Sequence, residues 1–329
     1  MLTHFLKFAL LSFIVAVAGT FGTTALCADV TVERSDSGAV VKIDGEVFAD
    51  YLTKVGHQPA VWPINGPTGK PMTRQYPMGP LLSDEKDDHL HHVSLWFAHG
   101  NVNGLDFWTS RDKAAAHKDN QINHREFVTT DAKDGQAKIV TRNDWISEGQ
   151  KICEDERTLL FGGNSQARWI DFLIKIKASE DDLTLGETKE GAFGVRVSGP
   201  LTVDSKEGGS IVNSRGQHNA DAWGMFADWV DDSGPVDGEV VGVALFNHPS
   251  NVRSPTRWHA RTYGLLAANP FGDSEFPKDP TAPKQAAVSI PKGQELALRY
   301  RVLLHRGDPE AADVAGAYSK FAATPKPAE

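Results

Sequence analysis

Apolar side chains recur at every second position along most of this sequence. That period of two restricts the chain to extended strands with one buried face. Ile170, Phe172, Ile174 and Ile176 alternate with Asp171, Leu173 and Lys175. Val40-Val41-Lys42-Ile43 and Glu46-Val47-Phe48 flank Asp44-Gly45, a pair that supplies the positive φ angles of a hairpin turn. Phe193-Gly194-Val195-Arg196-Val197 reads as a short strand, Val240 to Phe246 as a central strand ending at Asn247, and Leu296 to Leu304 as a long late one. Turn-rich pieces from Asp204 to Ser210, Asp231 to Gly238 and Asn269 to Pro291 separate them. Helix signals are few. Asp308 and Pro309 open a helix predicted from Glu310 through Phe321, and Asp112 to Lys118 adds a turn or two. Many strands and one short C-terminal helix predict an all-β fold, a large antiparallel sandwich.

With 329 residues, 40% hydrophobic and 23% charged, the chain has enough apolar surface for a substantial core, which excludes extended disorder. No linker or internal repeat divides it, so residues 29–329 are expected to form a single domain. The 43 acidic residues outnumber the 34 basic ones, and no Lys/Arg run builds the basic face that nucleic acid requires. Met1 to Ala28 has the pattern of a secretory signal. Lys7 precedes an apolar stretch from Phe8 to Ala18, and small residues lead to a cleavage site after Ala28, with a cut after Ala18 as the alternative. A lipoprotein signal is a further alternative, since Cys27 follows Thr-Ala-Leu, although Leu26 stands where such signals normally have Gly, Ala or Ser. The expected location is periplasmic or secreted. Removing this segment leaves Cys153 alone, expected to be a buried and inert strand residue. No later stretch is long and apolar enough to span a membrane.

Polar chemistry concentrates in Asp84 to Gly100, where four of the twelve histidines fall within eleven residues. On a strand, His89 and His91 would share one face and His92 would take the other. Three readings follow. His89 and His91, with a ligand from elsewhere, could hold a divalent metal. One histidine could serve as general acid or base. Or the loop is solvated and its histidines pair with the nearby aspartates. A second cluster holds His248 at the end of an apolar strand, then Trp258, His259, Tyr263 and Asn269. Aromatic faces of this kind stack on sugar rings while Asn, Arg and His bond to hydroxyls, and an aromatic corner plugging the sandwich is the alternative. In a third stretch, Glu187 to Gly194, Lys189 and Glu190 precede a strand. His124-Arg125-Glu126-Phe127 is a fourth candidate. Gly-rich phosphate loops, G-x-S-x-G and H-E-x-x-H are all missing from the sequence.

The segments Asp88 to Phe97, Asn101 to Trp108, Glu187 to Gly191, Phe246 to Pro249, Trp258-His259 and Ala267 to Gly272 resemble a bacterial family often labelled "methane oxygenase PmoA". The resemblance runs from about Pro59 to His305 and is to soluble, exported members, since nothing after the signal spans a membrane. It departs from the family at Val93-Ser94, where Arg-Gly is commoner. It implies a sandwich similar to the galactose-mutarotase supersandwich and a small-molecule or glycan ligand. On that basis the leading expectation is an exported carbohydrate-active acid–base enzyme, an epimerase, lyase or hydrolase. His91 or His92 would be the acid, Glu190 the base, and His248 or His259 would orient the substrate. Trp258, Tyr263, Asn269 and Lys189 would bind it. The alternatives are a metal-dependent enzyme ligated by His89 and His91, with the oxygenase activity the label suggests, and a non-catalytic glycan-binding module.

Overall fold

A computed structural model describes residues 28–110, 119–277 and 287–325. The signal segment through Cys27 and the short helix expected at Asp112 to Lys118 lie outside the described residues.

Two antiparallel sheets account for most strands. The first holds β1 (Val30–Arg34), β2 (Gly38–Ile43), β3 (Glu46–Val55), β4 (Gln58–Ile64), β5 (Leu95–His99), β11 (Gly191–Arg196), β13 (Phe226–Ala227), β16 (Thr256–Trp258) and β17 (Leu265–Asn269). Its spatial order is β1-β2-β3-β4-β5-β11-β17-β16-β13. The second holds β6 (Gln121–Lys133), β7 (Gln136–Ser147), β8 (Gln150–Gly163), β9 (Ala167–Lys177), β12 (Ser210–Asn213), β14 (Trp229–Val236), β15 (Glu239–Asn247) and β19 (Glu295–Arg306). They run in the order β12-β14-β15-β19-β9-β8-β7-β6. A separate pair joins β10 (Leu183–Leu185) to β18 (Val288–Ile290).

The expected all-β antiparallel sandwich with a short C-terminal helix is what forms. Two-residue turns fix the register of four hairpins, at Asp44-Gly45, Asp134-Gly135, Glu148-Gly149 and Asp237-Gly238. In each turn both residues have positive φ, which suits the right-handed twist of the strands they join. Ile170, Phe172, Ile174 and Ile176 of β9 point inward, as their alternation requires. Phe97 of β5 and Phe193 of β11 meet Phe172 from the other sheet, with ring centroids 6.3 and 5.0 Å apart. Cys153 is buried in β8, and desolvation pushes its thiol pKa up, so it stays an inert thiol.

Several segments differ from expectation, among them β18, which lies within the stretch Asn269 to Pro291 expected to be turn-rich. Asp231 to Gly238 is turn only at its last two residues; the rest belongs to β14. Its acids are buried, and the Oδ2 of Asp231 is paired with the His305 ring 2.7 Å away, a partner invisible to local sequence. The helix begins not at Glu310 but at Val314, as α1 (Val314–Ala322). Asp308 instead caps a turn, accepting from the N–H groups of Glu310 and Ala311. Asp313, with φ of 50°, breaks the helical path and caps α1 through Gly316 N–H. The helix packs Val314 and Phe321 on Ala244, Phe246 and Leu303, which is why β15 is apolar on both faces.

Charge is buried between the sheets. The Asp155 carboxylate accepts from Asn143 Nδ2 (2.6 Å), Trp145 Nε1 (2.7 Å) and the Arg157 guanidinium (2.9 and 3.0 Å). Arg157 also donates to Phe97 O across the core at 3.4 Å. Asp155→Ala would leave a buried guanidinium unpaired, costing about 3–5 kcal/mol. Glu156→Ala, on the outer face with Arg142, should cost under about 1 kcal/mol. Urea unfolding of both variants checks the contrast, and equal losses would contradict it.

Candidate functional site

Phe97 and Phe193 face the core, so their neighbours Trp96 and Gly194 face away from the eight-stranded sheet. A Cβ on Gly194 would lie 2.8 Å from the Trp96 ring and 3.0 Å from Trp108, so only glycine lets both indoles settle over β11. On these indoles stands a column of rings. Trp108 meets Trp96 at 4.9 Å between centroids, Trp96 meets His92 at 5.4 Å, His92 meets His89 at 4.7 Å, and His89 meets Tyr263 at 5.1 Å. The His89 and His92 planes are only 3° apart. His91 sits edge-on to His92, with centroids 4.3 Å apart.

The histidine segment is a turn, not the expected strand. His92 N–H donates to His89 O at 2.9 Å, and His89 has φ of 45°. All three rings therefore converge instead of alternating between faces. Asp88 pins this turn. Its carboxylate lies 3.2 Å from Arg74, 3.3 Å from Arg196 and 3.3 Å from His89 Nδ1. Arg74 also donates to the carbonyls of Lys86 and Asp88. Burial acts to raise the Asp88 pKa, but the hydrogen bond from His89 and the arginine charges outweigh it and hold the carboxyl at about 2. Burial in turn lowers Arg196 to about 10.

Glu190 and His259 arrive from other parts of the chain. Asn269 donates to Thr188 O at 2.8 Å and accepts from Phe271 N–H, fixing the segment that carries Lys189 and Glu190. His259 Nδ1 donates to Lys189 O at 3.0 Å, so the neutral ring keeps Nε2 as an acceptor. Desolvation, reinforced by Arg261 and Lys189, lowers His259 to about 4 despite that bond. Burial raises Glu190 above the usual carboxylate range, against the pull of His91 and Lys189. His92 is pushed well below its ordinary pKa by burial, and His91, Arg196, His89 and His259 act the same way.

The structure thus brings together His89, His91, His92, Lys189, Glu190, His259 and Tyr263. His248 does not join them. Its ring engages Ser250, Arg299 and Phe321, on the eight-stranded sheet, the loop after it and α1. Trp258 cannot stack on a ligand, because it is 0% exposed and its indole N–H is spent on Ala227 O. Asn269 is equally buried and supports the site from beneath. The His124 to Phe127 stretch lies on β6, where Arg125 pairs with Asp144 and Glu154. Sequence reasoning missed Arg74, Arg196 and Trp223. Trp223 is half-buried beside His259 and Arg261. Arg196, a charge in an otherwise apolar strand, was the one visible signal.

Among the described residues no group of three or more His, Cys, Asp or Glu side chains gathers as ligands. The His92 Nδ1 lone pair is already taken by Arg196, 2.9 Å away, and a second cation beside that guanidinium would be repelled.

Buried neutral histidines make stability pH-dependent. His259 and His99 take up a proton near pH 6.5 when unfolded but only near pH 4 when folded. The unfolded state therefore binds more protons in that window, and stability should fall as pH drops from 6.5 to 4. The slope reaches about 1.4 kcal/mol per pH unit for each such histidine. Urea unfolding across this range should show a shallower slope for His259→Asn than for wild type; identical slopes would refute the assignment.

Among the described residues no helix is long and apolar enough to cross a membrane. No curated protein sequence matches the chain. A proposed aldose 1-epimerase from Escherichia coli K12 aligns over 85% of this chain and 99% of its own, at 10% identity and a TM-score of 0.39. A glycoside hydrolase family 97 enzyme from Pseudoalteromonas sp. strain K8, solved with acarbose, aligns over the same 85% at 8% identity and a TM-score of 0.32. A β-arabinopyranosidase does so at 11% and 0.31. The chain spans only 34% and 38% of those two glycosidases. The family model for DUF6807, described as a family of unknown function, matches residues 38–319, and the chain belongs to that family.

Proposed function

We propose that this protein is an exported acid–base catalyst acting on a sugar or glycoside. The observation that carries the reading is the convergence of Glu190, His91, His92 and His259 above the Trp96–Trp108 floor, with Glu190 shifted up and His92 and His259 shifted down by burial. A carboxylate made more basic by desolvation is a better general base at neutral pH. Glu190 fills that role. His91, beside it in the same field, is the acid. His259, neutral with Nε2 available, accepts a hydroxyl proton and orients the ring. Trp223 takes the stacking role first expected of Trp258, since it is half-buried at the margin of the site next to His259. The Met1–Ala28 pattern supports export.

The chemistry needs one proton removed by Glu190 and one delivered by His91, with no change of oxidation state. Epimerisation, elimination and hydrolysis share that exchange.

A panel of reducing sugars and glycosides, followed by proton NMR, tests the reading. His91→Ala and Glu190→Gln should each lower kcat by on the order of 10²–10⁴. Trp223→Ala should raise KM several-fold, about 1 kcal/mol of lost stacking, with little change in kcat. Binding that persists while no sugar is chemically altered would make the protein a glycan-binding module instead.

A further inference from the structure

Arg196 stands where a catalytic site gains from a fixed donor. It sits at the end of β11 with its Nη1 2.9 Å from His92 Nδ1 and its Nη2 3.3 Å from Asp88. Its guanidinium carbon is 4.6 Å from the centre of the Tyr263 ring. Arg74, buried at 1% exposure, holds the same oxygen of Asp88, Oδ1, at 3.2 Å. The guanidinium is therefore oriented by an ion pair and an aromatic ring.

We infer that Arg196 is a positioning residue that locks His92 in the tautomer protonated on Nε2, so that His92 serves as a fixed neutral hydrogen-bond donor in the site. The argument is one of donor inventory. A guanidinium only donates, so the nitrogen facing it must be a bare lone pair. A neutral imidazole carries a single proton, which leaves Nε2 as its only place. An imidazolium is excluded for the same reason, because its Nδ1–H would point at another N–H. The rings packed around His92 cannot reverse this: His89 is stacked on it, His91 and Trp108 are edge-on, and Trp96 lies beneath. Of the charged and titratable groups that face it, Arg196, His89, His91 and His259 all oppose a second proton.

His92 then differs in kind from its neighbours. His259 presents an acceptor nitrogen, because its Nδ1–H is spent on Lys189 O. His92 presents a donor. The second nitrogen of each ring is thus fixed in kind, a lone pair on His259 and an N–H on His92, each tautomer set by the contact made at Nδ1. Asp88 acts one step further out, by aiming Arg196. This rests on the proposed function only for what the donor is used for; the tautomer itself does not depend on any substrate.

The test is long-range proton–nitrogen correlation NMR on full-length protein labelled with ¹⁵N-histidine, with His92→Gln used for assignment. Wild type should show His92 with a protonated Nε2 and a bare Nδ1 throughout neutral pH. Arg196→Lys, which keeps a donor, should retain that pattern, while Arg196→Met should lose it to the other tautomer or to a mixture. A wild-type His92 protonated on Nδ1, or an unchanged pattern in Arg196→Met, overturns the inference. If Arg196→Met fails to fold, the wild-type spectrum and Asp88→Asn decide, the latter giving a weakened preference. Once a substrate is in hand, Arg196→Met should lower kcat on the order of a hundredfold with KM little changed, and Arg196→Lys should recover part of it. The expected tautomer without turnover of any sugar would leave the positioning intact and sink the proposed function instead.

Discussion

The Asp155–Arg157 pair decides how the two sheets face each other. Both side chains are buried in β8, and removing two charges from water is costly unless every lone pair and N–H is used. Here Asn143 and Trp145 complete the carboxylate, and Arg157 reaches across the core to the backbone of Phe97. That contact touches β5 next to Trp96, so the same bond that joins the layers also sets the height of the floor beneath the histidines. The hydrophobic contacts around it supply most of the burial, but they are tolerant of sliding. A buried ion pair, bonded from both of its groups, is not.

Above the floor the physics is of the opposite kind. Burial among rings and beside charged groups holds His92 and His259 neutral, whereas Asp88 keeps its charge through the hydrogen bond from His89 and the charges of Arg196 and Arg74. The result is a set of groups whose protonation is assigned by position: an ionised Asp88, neutral His92 and His259, and a Glu190 carboxyl shifted up. Separating neighbouring groups in this way is how one pocket can both take and give a proton near neutral pH.

The sandwich was legible because a half-buried strand writes its geometry into every second residue, as Ile170 to Ile176 does. The histidine cluster, Glu190 and His259 were legible because such residues stand out by type. Their mutual arrangement was not. A strand would have sent His92 away from His91, and only the turn closed by His92 N–H and His89 O reverses that. Trp258 and His248 misled for a related reason. An aromatic or imidazole ring has the same letter whether it faces a ligand or fills the core, and the choice was made by Ala227 and Phe321, remote in sequence. Likewise, Asp231 of β14 read as part of a turn because its partner His305 lies 74 residues on.

The order of strands in the nine-stranded sheet has a kinetic consequence. Strand β11 lies between β5 and β17, so His92 meets Arg196 across 104 residues and His259 meets Lys189 across 70. Contacts this distant form only after large loops have closed, and chains dominated by them fold on millisecond to second timescales. A chain still emerging from synthesis would have its histidine turn long before its arginine and its second imidazole. The histidine cluster is therefore complete only once the nine-stranded sheet has closed around β11.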